Sequence, residues 1–133
     1  MTVKFADSYI DRLFAEKDIP LLHQMVSAVS KERPLPDEFW LFRRLVEWSG
    51  SSKSGVWQFY EGIDEPEYEQ IAHALPWFDL HEIAEQFRGG KNSSLAPDRG
   101  ATLGQWIDAH EQEIHAAAFN LILPYKDLLR SEA

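Results

Sequence analysis

Apolar residues recur at three- and four-residue intervals along nearly the whole chain, the period of a helix buried on one side. Phe5, Tyr9 and Leu13 form the first stripe, with Ile10 and Phe14 beside them. Leu22, Met25, Val26 and Val29 form the second, and Trp40, Leu41, Leu45 and Trp48 the third. Tyr68, Ile71, Ala72 and Leu75 follow, then Ile83, Ala84 and Phe87, and last Trp106, Ile107, Ile114 and Phe119. The punctuation fits helices of ordinary length. Asp18 and Asp64 stand where N-caps belong, with Pro20 and Pro66 in the first turns that follow. Asp37 and Asp79 are predicted to cap two more helices, and Thr102 with Gln105 matches a capping box ahead of Trp106. Pro34 and Pro36, Gly50, Pro76 and the Gly89-Gly90 pair read as stops, and Pro124 should break the final helix.

Residues 49–55 and 89–100 read as loops by composition. Between the first loop and Asp64 lies Val56-Trp57-Gln58-Phe59-Tyr60, a run short enough to be strand or helical turn. Helix is the better reading, because a lone strand leaves its backbone groups without partners. The expectation is an all-α fold, residues 1–133 forming a single helical domain of about six or seven helices with at most a minor strand element. Phe14, Leu22, Val26, Leu41, Leu45, Ile71, Ile83, Trp106 and Ile114 are expected in the core. The five tryptophans as a group are read as core residues, since each buries a large area.

Composition narrows the class. At 133 residues the chain has one domain's length and can fold without disulfides or metals. It has no cysteine, which excludes thiol nucleophiles, disulfide frameworks and cysteine metal sites. Its aromatic share of 13% argues against disorder. The first residues lack a signal peptide's apolar run, and no stretch approaches the roughly 18 apolar residues of a membrane span. A soluble cytoplasmic protein is expected, without membrane association.

Charge changes the picture more. Residues 1–60 hold 8 acidic and 8 basic side chains, whereas residues 61–133 hold 14 and 5, giving the whole net charge of -9. From Glu61 to Phe87 there are 8 carboxylates and no Lys or Arg. Ordinary solvent faces intersperse the two signs, and crowding one sign costs stability through self-repulsion. Such a surface repels nucleic acid and anionic membrane and attracts basic partners. Arg43-Arg44 is the single adjacent basic pair, too little for nucleic-acid binding.

Catalytic chemistry is poorly represented. His81 and Glu85, and Glu111 and His115, have the i,i+4 spacing of a helical metal pair, but solvated polar faces explain them as well. The many carboxylates sit on segments that read as exposed. Ser49, Ser51, Ser52 and Ser54 have no Gly-x-Ser-x-Gly elbow, and Gly89-Gly90-Lys91-Asn92-Ser93-Ser94 lacks the spacing of a phosphate loop. No catalytic residue, metal or cofactor is expected, and the chain is read as no enzyme.

The order of features over residues 39–90 is an aromatic helix ending in Trp48, a Gly/Ser loop, Gly55-Val56-Trp57-Gln58-Phe59-Tyr60, an acidic connector, a helix ending Ala72-His73-Ala74-Leu75, and a helix with Ile83-Ala84. This resembles the DNA-mimic-protein-nineteen-like family, a bacterial family of unknown function that includes a DNA mimic. Gly55, Gln58, Phe59 and Tyr60 match its loop, while Ser54 and Val56 depart from it. The resemblance implies a mainly helical fold, a possible homodimer, and carboxylates displayed like DNA phosphates to a DNA-binding protein; it implies no catalytic residue.

The expected function is thus a non-enzymatic acidic protein-binding domain, with DNA mimicry as one mode. Glu61, Asp64, Glu65, Glu67, Glu69, Glu82 and Glu85 are its candidate contact residues for a basic protein. One alternative is an immunity protein neutralising a basic toxin. Another is a small helical enzyme or ligand-binding domain with a Trp-rich pocket holding His81 or His73.

Overall fold

The computed structural model describes residues 5–91 and 97–130. Among them the protein is all-α: eight α-helices, two 3-10 segments and no strand. The helices are α1 (Asp7–Glu16), α2 (Ile19–Glu32), α3 (Asp37–Gly50), α4 (Trp57–Glu61), α5 (Glu65–Trp77), α6 (His81–Gly89), α7 (Pro97–Ala109) and α8 (Glu111–Ile122). The 3-10 segments are Ser51–Lys53 and Leu123–Leu129. Among the described residues no helix is long and apolar enough to cross a membrane. The chain's contacts cluster into two units, Met1–Val46 with His115–Ala133, and Glu47–Ile114.

In the first unit, α1 packs on α2 and on the C-terminal 3-10 segment. Ile10, Leu13, Leu22, Val26, Leu41 and Leu45 are essentially inaccessible to solvent, and the Phe14 and Phe119 rings meet at 5.6 Å. Charge fastens the chain's end here. Asp11 pairs with Lys126 at 2.6 Å and Arg130 at 2.7 Å, and Arg130 also reaches Asp7 and Asp127. Arg33 donates to the carbonyls of Leu128 and Arg130. In this tail Leu129 is buried, while Tyr125 and Leu128 are 37% and 45% exposed.

The second unit is built around aromatic rings. Phe87 of α6 stacks on Tyr68 of α5 at 5.2 Å, packs on Tyr60 at 5.3 Å and meets Trp48 edge-on at 6.0 Å. A short hydrogen-bond chain runs through this cluster. Trp48 Nε1–H donates to Tyr60 Oη at 3.0 Å, and Tyr60 O–H donates to the Phe87 carbonyl at 2.6 Å. Burial holds the Tyr60 phenol well above its usual range. A Cβ at Gly90 would collide with that phenol and with Leu103, so the turn after α6 requires glycine. The turn before α4 requires it too, because Gly55 has φ +119°.

Two helix connections share one device. At the end of α1, Lys17 adopts left-handed backbone (φ 52°), its N–H bonding the Phe14 carbonyl and the Asp18 N–H the Leu13 carbonyl. At the end of α5, Asp79 does the same (φ 63°), with Asp79 N–H to Pro76 and Leu80 N–H to Leu75. Both are Schellman motifs, with a non-glycine residue in the position usually given to glycine. The residue that closes each motif, Asp18 or Leu80, is also the N-cap of the next helix.

Several boundaries differ from the sequence reading. Asp18 and Asp64 do cap, accepting from Leu21 N–H and Glu67 N–H. Asp79 does not, since the Schellman turn leaves it one residue early. Asp37 begins α3 from inside the helix, where its charge complements the helix dipole. Thr102 lies within α7, which starts five residues upstream at Pro97, so the predicted capping box is absent. The final stripe is two helices, α7 and α8, separated at His110. The serine stretch is ordered: Ser49 is buried in α3, Ser51 Oγ donates to the Trp48 carbonyl, and Ser52 Oγ donates to Asp108 at 2.7 Å. Of the second predicted loop, residues 92–96 lie outside the described residues.

Candidate acidic surface and the cleft beside it

All seven candidate contact residues fall in the second unit, on or beside α4, α5 and α6. The helix period sorts them. Tyr68, Ile71, Ala72 and Leu75 face inward on α5, as do Ile83, Ala84 and Phe87 on α6. The intervening positions therefore face solvent, and Glu61, Asp64, Glu65, Glu69, Glu82 and Glu85 are exposed. Glu67 is half-buried.

Three of these acids already have work within the fold. Asp64 caps α5. Glu65 accepts from Lys91 Nζ at 2.6 Å, and that pairing raises the lysine's pKa. The same ammonium lies 4.7 Å over the Tyr68 ring. Glu69 stands 3.7 Å from His73, one turn along α5. Arg88 and Lys91 follow the acidic run closely, so the sequence count to Phe87 leaves out two nearby cations. Arg88 also folds back, donating to the Ala72 carbonyl. Glu61, Glu82 and Glu85, with Asp79, make the rest of the exposed acidic surface.

Sequence reasoning missed a cleft of 210 Å³ beside this surface. Its walls are the start of α6, with Asp79, His81 and Glu82, and the α7–α8 junction, with Trp106, His110 and Glu113. The junction is shaped by His110. Its backbone N–H bonds the Trp106 carbonyl at 3.0 Å, and its ring Nδ1 lies 2.8 Å from the same oxygen. A carbonyl only accepts, so Nδ1 carries a proton in this contact. The imidazole then lies flat on the Trp106 indole, 4.2 Å between centroids and 18° from parallel. Trp106 is half-buried by this arrangement, not a core residue. The signal was present in the sequence as Trp106 and His110 one turn apart, but a stripe of apolar residues hides such a pair.

The tryptophans divide sharply. Trp48 is buried; Trp40 and Trp106 are half-buried; Trp57 and Trp77 are 42% and 82% exposed. The group is therefore not a set of core residues. The remaining expected core positions are all buried.

The two metal-type pairs are not assembled into a centre. Among the described residues no three His, Asp or Glu side chains are grouped as metal ligands. His81 lines the cleft without Glu85, and neither Glu111 nor His115 lines it.

No family model, no curated protein and no solved structure matches this chain.

Proposed function

We propose that this protein is a non-enzymatic binding domain whose acidic surface docks a basic protein. The observation that carries this is the exposure of Glu61, Glu69, Asp79, Glu82 and Glu85 on and between α4, α5 and α6, where the two nearby cations, Lys91 and Arg88, are engaged by Glu65 and the Ala72 carbonyl. Exposed carboxylates in excess over nearby Lys and Arg accelerate encounter with a positive surface and repel wrong partners, while contributing little to the fold itself. DNA mimicry and toxin neutralisation are two modes of the same docking, because both present carboxylates to Lys and Arg side chains that otherwise hold phosphate.

The test is affinity capture from a native lysate, followed by association rates with the captured protein. Reversing Glu61, Glu69, Glu82 and Glu85 to Lys should abolish retention at low salt, and wild-type association should slow steeply as ionic strength rises. Reversing Glu16 and Asp37 in the charge-balanced half should change little. Competition by duplex DNA separates the modes: a DNA mimic loses its partner to DNA, whereas a toxin held outside its DNA site does not. Salt-insensitive retention, equal in all variants, would refute the proposal.

The cleft supports a second reading, a small ligand-binding domain, since it contains His81 and an aromatic wall. Its volume weighs against this. At 210 Å³ it falls below the roughly 300–1,000 Å³ usual for ligand pockets, and His81 and Glu82 are exposed at its rim.

A further inference from the structure

We infer that the cleft between the start of α6 and the α7–α8 junction seats one guanidinium, the side chain of an arginine on the basic partner. This deepens the docking proposal and rests on it. Three observations lead there.

First, size. The cleft is too small for a drug-sized molecule and suits one long side chain. Second, charge. Asp79, Glu82 and Glu113 line it, and no Lys or Arg does, so the occupant it favours is a cation. The adjacent His81 lies 3.6 Å from Asp79, which keeps that imidazole beside a carboxylate. Third, shape. Trp106 and His110, stacked on each other, both line the cleft and give it an aromatic side. A guanidinium is planar, stacks on aromatic faces and carries five N–H donors in a fixed fork. Carboxylates on both walls, Asp79 and Glu82 on one and Glu113 on the other, give those donors partners. An ammonium is a compact point charge that neither stacks nor forks, so it gains less here.

The probe is ethylguanidinium, titrated into the ¹⁵N-labelled full chain at fixed ionic strength, with ethylammonium as comparison. The expected result is a saturable shift of the Trp106 indole N–H and the His110 amide, with ethylammonium much weaker. Loss of a charge-assisted hydrogen bond costs about tenfold in affinity, so Glu82→Gln with Glu113→Gln should weaken the guanidinium by more than that. Both residues are exposed, and circular dichroism checks that the variant remains folded. A shift that grows linearly with concentration, or that is the same for both cations, overturns the inference. So does a captured partner whose retention is unaffected by Glu82→Gln with Glu113→Gln. In either case, loss of the partner on charge reversal at Glu61, Glu69 and Glu85 would leave the broader docking proposal standing.

Discussion

Tyr60→Phe deletes one oxygen from the middle of the second unit's aromatic cluster. The hydroxyl accepts from Trp48 Nε1–H at 3.0 Å and donates to the Phe87 carbonyl at 2.6 Å. Trp48 is 1% exposed, so its N–H has no access to water once its partner is gone. Each lost bond is worth about 0.5–1.5 kcal/mol net, and an orphaned buried donor costs about 1–3 kcal/mol. The variant should therefore lose about 2–3 kcal/mol, a large part of a small protein's stability. Urea unfolding followed by circular dichroism gives the value from midpoint and slope. In a Trp48→Phe background the donor is already absent, and the same change should cost about half as much, a coupling a double-mutant cycle resolves. The pH dependence supplies a further check. Burial raises the folded phenol above the ordinary value, so its contribution is complete below pH of about 10 and declines above it as the unfolded tyrosine ionises. The gap between wild type and Tyr60→Phe should narrow there. A loss under about 0.5 kcal/mol, or equal losses in the two backgrounds, would refute the hydrogen-bond chain as an energetic element.

Other outcomes follow from single features. Gly90→Ala should cost about 1–3 kcal/mol by overpacking against Tyr60 and Leu103, measured in the same urea assay. Lys17→Gly should raise stability by up to about 1 kcal/mol, because it relieves left-handed backbone in a residue with a Cβ. Trp106→Ala should cost less than the roughly 3–5 kcal/mol typical of a buried aromatic, since the indole is half-exposed. Lys126 and Arg130 hold the Asp11 carboxyl below its usual pKa, so its contribution is present above pH of about 4 and is lost as pH falls through the lower folded value. The difference in melting temperature between wild type and Asp11→Asn should accordingly vanish on acidification.

Periodicity made the fold readable because each helix buries one stripe: Leu22 to Val29, Tyr68 to Leu75 and Ile83 to Phe87 all face inward as their spacing requires. Boundaries were readable where a side chain makes the cap, as at Asp18 and Asp64. They were not where the backbone does it, as at Asp79, because a Schellman turn without glycine leaves no residue signal. Six of the seven candidate carboxylates were legible as exposed, since inward positions on α5 and α6 are filled by apolar residues, but the half-burial of Glu67 was not. Their pairing was not: Lys91 reaches Glu65 across 26 residues, a distance that no local pattern encodes. The cleft was hidden for the same reason, as its two walls come from residues 79–83 and 106–114.

The shared residues Asp18 and Leu80 leave no slack at two corners of the chain. Each ends one helix's hydrogen bonds and begins the next helix's, so neither helix can fray at that end without loosening its neighbour. Amide exchange at the last turn of α1 and the first turn of α2 should thus proceed through one common opening, and likewise for α5 and α6. An extra residue inserted at either corner would have nowhere to go except into a helix, shifting its inward stripe by about 100°. At the second corner, that rotation would carry Glu82 away from the cleft and turn Ile83 toward water.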